Sequence, residues 1–230
     1  MVVAAAVAAS MACGASNAVP EQSADATPPE PGQLAESQKT VITILGDSLT
    51  AGLGLTVAES YPSRLQAMFA QEGYREVEIT NAGESGDTTA TALRRVEALI
   101  APNVRIVVVA LGGNDALRGL SVKETRQNVE AIVSGLLDRN IRVMVAGMES
   151  PTNLGEDYQR GFRDAFAQVA AEFRPRITFV PFLLEGVAAI PELNQADGIH
   201  PNAQGALVIA QHLYPLLRAM VDQLPVAPAS

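Results

Sequence analysis

Cysteine, histidine and tryptophan are nearly missing from this chain. Among its 230 residues stand one cysteine, Cys13, two histidines, His200 and His212, and no tryptophan. A lone cysteine excludes an internal disulfide and a cysteine-based zinc cage. Two histidines are too few for a multi-histidine metal site. Aromatic residues make up 4% of the chain, so no platform exists on which bases could stack. No run of lysine and arginine offers an electrostatic membrane patch. The 16 basic residues face 25 acidic ones, and the net charge of −9 repels a phosphate backbone, which argues against nucleic acid as a partner. What remains is 48% hydrophobic residues with 18% charged ones, the material of one soluble domain with a real core.

The two ends carry a different texture. Residues 1–18, MVVAAAVAASMACGASNA, hold an apolar run about as long as a signal-peptide core and too short to span a bilayer. Ser16-Asn17-Ala18 resembles a small-x-small cleavage site. Ser10-Met11-Ala12-Cys13-Gly14 resembles a bacterial lipoprotein box, although Ser10 stands where leucine is usual and no positive n-region precedes it. The expectation is export, either to the periplasm with cleavage after Ala18 or to the membrane surface through a lipidated Cys13. Residues 19–40 are rich in Pro, Glu, Ser and Ala, have little to bury, and read as a flexible linker. Residues 41–222 read as the folded domain and 223–230 as a tail.

Inside the domain, strand and helix patterns alternate five times. VITIL (41–45), VEIT (77–80), RIVVVAL (105–111), IRVMVAG (141–147) and ITFVPF (177–182) read as strands. Helices are expected from Ser60-Tyr61-Pro62 onward, from Asp87 or Thr88 to Leu99, from Ser121 to Arg139, over 156–173, and from an Asn202 cap to Val221. The continuous apolar runs suit strands covered on both faces. Such alternation predicts an α/β fold, a parallel sheet with helices on both sides.

Open α/β sheets bind ligands beyond the carboxyl ends of their strands. Four such ends carry small and polar residues: GDSLTAG (46–52), NAGESGDTT (81–89), GGND (112–115) and DGIHPN (197–202). Asp197 stands three residues before His200 in a turn and can orient it as a base. Ser48, just past the first strand between Gly46 and Gly52, is the candidate nucleophile. The backbone N–H groups of Ser48 and Gly86 and the Asn114 amide can receive a developing oxyanion. Asp47, Asp87 and Asp115 also lie at strand ends. They can be read as metal ligands, but capping helices and tying loops is the simpler role. His212 sits among apolar residues of the last helix and reads as a packed or surface residue.

Together these blocks resemble the SGNH hydrolases, also called the GDSL esterase/lipase family. GDS around Ser48, SGDT around Gly86, GGND around Asn114 and DGIHPN around Asp197 and His200 occur in the family's order, over residues 41–222. The wording is similar to the arylesterase, acyl-CoA thioesterase I and lysophospholipase branch. The resemblance implies a three-layer α/β/α sandwich with a five-stranded, flavodoxin-like parallel sheet. It implies Ser48 as nucleophile, His200 as base, Asp197 as its orienter, and Ser48, Gly86 and Asn114 as the oxyanion hole. It also implies a small ester substrate, no cofactor or metal, and a flap over residues 116–121. Leu117, Leu120 and Leu154 are expected to line an acyl site, with Phe182 and Leu183 as further candidates. Glu149 stands after the fourth strand, where the resembled sequences more often carry a basic residue, and an acid there disfavours anionic leaving groups such as CoA. Nothing in the sequence demands more than a monomer. Two rivals stay open at this point. One is a metallophosphoesterase, which needs more histidines. The other is an envelope lipoprotein that binds glycan or lipid without catalysis.

Overall fold

The computed structural model describes residues 1–2 and 39–225. The readings of residues 3–38, the Cys13 lipid site and most of the linker among them, and of 226–230 lie outside the described residues. The fold lies within Leu34–Ser230.

Five strands form one parallel sheet: β1 (Thr40–Gly46), β2 (Val77–Gly83), β3 (Val104–Ala110), β4 (Arg142–Ala146) and β5 (Ile177–Val180), in the order β2-β1-β3-β4-β5. The buried positions of the central strands β1, β3 and β4 are mostly apolar, many of them β-branched. Ile106, Val107, Val108, Val109 and Ala110 in β3 are almost wholly buried. Burying each such valine or isoleucine contributes about 1.5–3 kcal/mol. Among the described residues, seven α-helices connect and cover the sheet: α1 (Ser48–Ala51), α2 (Tyr61–Gln71), α3 (Thr89–Arg95), α4 (Gly113–Leu117), α5 (Val122–Asp138), α6 (Glu156–Phe173) and α7 (Ala203–Asp222). Helix α2 packs on α7, while α5 packs on both α3 and α6. This is a three-layer α/β/α sandwich.

The helix starts follow from their caps. The Ser60 hydroxyl accepts the Ser63 N–H, the Ser121 hydroxyl accepts the Glu124 N–H, and the Asn202 side chain accepts the Gln204 and Gly205 N–H groups. Thr88, not Asp87, caps α3, and α3 gives way to a 3₁₀ turn over Val96–Leu99. Helices α1 and α4 have no sequence period to betray them, being only 4 and 5 residues long. Both begin at the carboxyl ends of neighbouring strands, β1 and β3. Since the chain leaves β1 to one side and reaches β3 on the other, a crevice opens between those two ends. No helix among the described residues is long and apolar enough to cross a membrane.

Candidate active site

Ser48 is the first residue of α1, immediately beyond β1. The turn is shaped by its neighbours. Asp47 is the cap, with its Oδ1 accepting the Leu49 N–H at 3.0 Å. At Gly46 a Cβ would lie 1.9 Å from Thr50 Oγ1, so only glycine lets α1 fold back on the strand end. Thr50 Oγ1 is hydrogen-bonded to the Tyr61 hydroxyl at 2.6 Å, and its carbonyl accepts from Asn81 Nδ2 at 2.9 Å. The short helix is thus pinned from two sides, and Ser48 keeps its side chain at the crevice.

His200 and Asp197 come from the loop before α7. Ser48 Oγ lies 2.9 Å from His200 Nε2, and His200 Nδ1 lies 2.6 Å from Asp197 Oδ2. The other Asp197 oxygen accepts the backbone N–H groups of Ile199 and His200, at 2.9 and 3.0 Å. The His200 backbone N–H, then its ring, then the Ile199 N–H hold the Asp197 carboxyl down at about 2. A residue the sequence did not flag fixes this loop. Gln195 Nε2 donates to the Leu53 carbonyl at 2.7 Å and to the Pro201 carbonyl at 2.9 Å, tying the histidine loop to the segment after Ser48.

Gly86 lies in the loop after β2, and Asn114 at the start of the short helix after β3. Gly86 adopts φ +88, a conformation that favours glycine, and its N–H and that of Ser48 make no hydrogen bond to another protein group among the described residues. Asn114 is the second residue of α4, and its Nδ2 reaches Asp47 Oδ2 at 3.4 Å. The three acids at the strand ends diverge into separate tasks. Asp87 is gripped by Arg95, which also donates to the carbonyls of Gly46 and Ala82 at 3.2 and 2.9 Å, joining the ends of β1 and β2. Buried Asp115 accepts the Thr89 N–H at 2.9 Å, the Thr89 hydroxyl at 2.6 Å and the Thr125 hydroxyl at 3.2 Å, so it fastens α4 to α3. Asp47 is buried, and burial pushes its carboxyl up to about 6 against the opposing pull of the Leu49 N–H and Asn114. Among the described residues no three His, Cys, Asp or Glu side chains converge as ligands.

A cleft of about 330 Å³ opens beside Ser48. Its walls come from Asn114 and Leu117 on one side and from the loops after β4 and β5 on the other, with Met148, Pro151, Phe182, Leu184 and Ile199 giving apolar surface. Leu117 and Glu149 line it. Leu120 and Leu154 do not: Leu120 is exposed outside the lining, and Leu154 packs at the Gly119 turn. Leu183 is in the core. The view of Glu149 as a bare acid also changes, because Arg163 Nε pairs with its Oε1 at 3.0 Å and offsets its charge at the rim. His212 lies half-buried on α7, away from these groups.

A Ser–His–Asp hydrogen-bonded line at the carboxyl edge of a flavodoxin-like sheet, opening on an apolar cleft, defines a serine hydrolase. Residues 44–208 match the model of the GDSL-like lipase/acylhydrolase family, and the chain belongs to that family. It is 35% identical to the esterase TesA of Pseudomonas aeruginosa over 181 residues, which cover 78% of this chain and 89% of that protein. It is 32% identical to thioesterase 1/protease 1/lysophospholipase L1 of Escherichia coli over 182 residues, 79% of this chain and 85% of that one. The crystal structure of a psychrotrophic esterase, EstA from Pseudoalteromonas sp., inhibited by monoethylphosphonate, superposes with a TM-score of 0.73 at 30% identity, covering 80% of this chain and 100% of that one.

Proposed function

We propose that the protein is a serine esterase that hydrolyses aryl and short-to-medium acyl esters through an acyl-enzyme. The observation that carries this reading is the unbroken line from Ser48 Oγ through His200 to Asp197 at the mouth of the apolar cleft. His200 Nε2 takes the hydroxyl proton as Ser48 Oγ bonds to the ester carbonyl carbon. The carbonyl oxygen becomes an oxyanion, received by the Ser48 and Gly86 N–H groups and an Asn114 N–H. Collapse breaks the bond to the alcohol oxygen, and His200 returns the proton to that leaving group. Water then repeats the sequence on the acyl-serine and releases the acid. Similarity to an esterase and to a thioesterase/lysophospholipase supports the substrate class. The Glu149–Arg163 pair at the cleft rim keeps acyl thioesters among the candidate substrates.

The reading is tested with p-nitrophenyl esters from acetate to palmitate, with and without EDTA, beside a thioester of equal chain length. Rates that survive EDTA and peak within the series are expected. Loss of all activity on chelation would replace the serine mechanism with a metal one. We further propose that residues 1–18 direct export and that Cys13 carries a lipid. Cell fractionation then finds the wild type in membranes and Cys13→Ala among soluble proteins. Equal partition of the two forms would dismiss the anchor.

A further inference from the structure

The Asn114 carboxamide stands between a carboxylate and a guanidinium. Its Nδ2 faces Asp47 Oδ2 at 3.4 Å, and its Oδ1 faces Arg118 Nη2 at 3.5 Å. Arg118 lies one helical turn on, at the end of α4, where its backbone N–H donates to the Asn114 carbonyl at 3.2 Å. The guanidinium does not swing freely, because the same Nη2 donates to the Gly86 carbonyl at 3.0 Å. Asp47, Ser48 and Asn114 line one cleft.

A primary amide has two ends of almost equal shape and opposite polarity. In the orientation observed, the oxygen meets a donor that cannot deprotonate, and one N–H meets an acceptor. The second N–H is left for the cleft. Turned over, the oxygen would meet the Asp47 carboxylate and the NH₂ group would meet the Arg118 guanidinium. Both new pairings are repulsive. The turned amide would also present its oxygen, not an N–H, to a developing oxyanion. Two opposed neighbours thus fix what a lone asparagine cannot fix for itself. Both contacts are long for N–H···O bonds, as is common in an unliganded site where such bonds tighten on reaction.

We infer that Arg118 is a positioning residue: anchored on the Gly86 carbonyl, it works with Asp47 to lock the Asn114 amide with an N–H toward the oxyanion. The inference rests on the role given above to Asn114. It assigns to the guanidinium a function that acts through another side chain, not by touching substrate.

Arg118 is exposed, so its truncation spares the core. Asp47 is buried and caps α1, so it is the poorer position to test. Steady-state kinetics on p-nitrophenyl butyrate are compared for wild type, Arg118→Ala, Arg118→Lys, Asn114→Ala and the Arg118→Ala/Asn114→Ala pair, each checked for an unchanged melting temperature. Asn114→Ala is expected to lower kcat by about 10²–10³-fold. Arg118→Ala is expected to lower kcat about tenfold with KM moved by less than about twofold, the mark of lost alignment. Arg118→Lys keeps the charge but on a shorter side chain without the planar guanidinium, so it should recover little of the loss. In the double variant the Arg118 effect should shrink to less than about twofold, because no amide is left to orient. A full tenfold loss in the Asn114→Ala background, or wild-type kcat in Arg118→Ala, overturns the lock and leaves the oxyanion role of Asn114 standing. An undiminished kcat in Asn114→Ala removes that role, and the Arg118 inference falls with it.

Discussion

Ser48→Ala is expected to lower kcat for ester hydrolysis by about 10⁶-fold while KM stays near the wild-type value. The size follows from how the side chain is used. Ser48 Oγ sits 2.9 Å from His200 Nε2 at the rim of the cleft, and without it no covalent acyl carrier exists. His200 would then have only water to activate, at a place shaped for a bound hydroxyl. The oxyanion donors survive the change, so a residual rate of about 10³-fold over water is expected to remain. Binding survives as well, since the apolar walls from Met148, Phe182 and Leu184 are untouched. The measurement is single-turnover and steady-state hydrolysis of p-nitrophenyl butyrate, joined to mass spectrometry after a fluorophosphonate probe. One adduct on the wild type and none on Ser48→Ala is the expected pair of results. A variant that keeps its rate, or is labelled at another residue, would remove Ser48 from the mechanism.

Much of this arrangement is legible in the sequence alone. The five strands were visible because runs such as RIVVVAL must be buried on both faces, and their alternation with capped helices leaves little choice of topology. The blocks at the strand ends were visible because small and polar residues there have no packing reason to be small. The shorter elements were not visible. Helices α1 and α4 span barely one turn, too little for a 3.6-residue period to register, and both exist because Asp47 and Gly112 shape their starts. At Gly112 a Cβ would come within 2.8 Å of Phe166, a clash between residues distant in sequence. The cleft lining was harder still. Leu120 and Leu154 have the chemistry of an acyl pocket, yet neither lines the cleft: Leu120 stays exposed and Leu154 packs at the Gly119 turn, because side-chain direction in an irregular loop follows from tertiary contacts. Conversely, the segment after β4 carries none of the four motif blocks, yet its residues 148–152 line the cleft. The Glu149–Arg163 pair spans 14 residues from a loop to a helix, a spacing with no local signature.

Asp197→Asn should cost about 10⁴-fold in kcat, about a hundredfold less than losing the nucleophile but still large for a residue that touches no reacting atom. The reason lies in which nitrogen of His200 carries its proton. Ionised Asp197 only accepts, so it demands a proton on Nδ1 and leaves Nε2 bare toward Ser48. The carboxyl is held down at about 2 by the His200 and Ile199 N–H groups, so it stays ionised at any pH where the fold is ordinarily assayed. Asparagine keeps the shape. Its oxygen can accept the two backbone N–H groups, which turns its NH₂ toward Nδ1. That nitrogen must then be the bare one, the proton moves to Nε2, and the base faces Ser48 with a donor. Hence kcat should fall, KM should change little, and the acid limb of the wild-type kcat/KM profile should not come from Asp197. The check is a pH–rate comparison of wild type with Asp197→Asn and Asp197→Ala. The alanine variant leaves His200 free to adopt either tautomer and loses orientation alone. An asparagine variant within tenfold of wild type would show that this carboxylate does not set the tautomer, and the Ser48–His200 contact would then have to be supported by the Gln195 tie and the loop backbone.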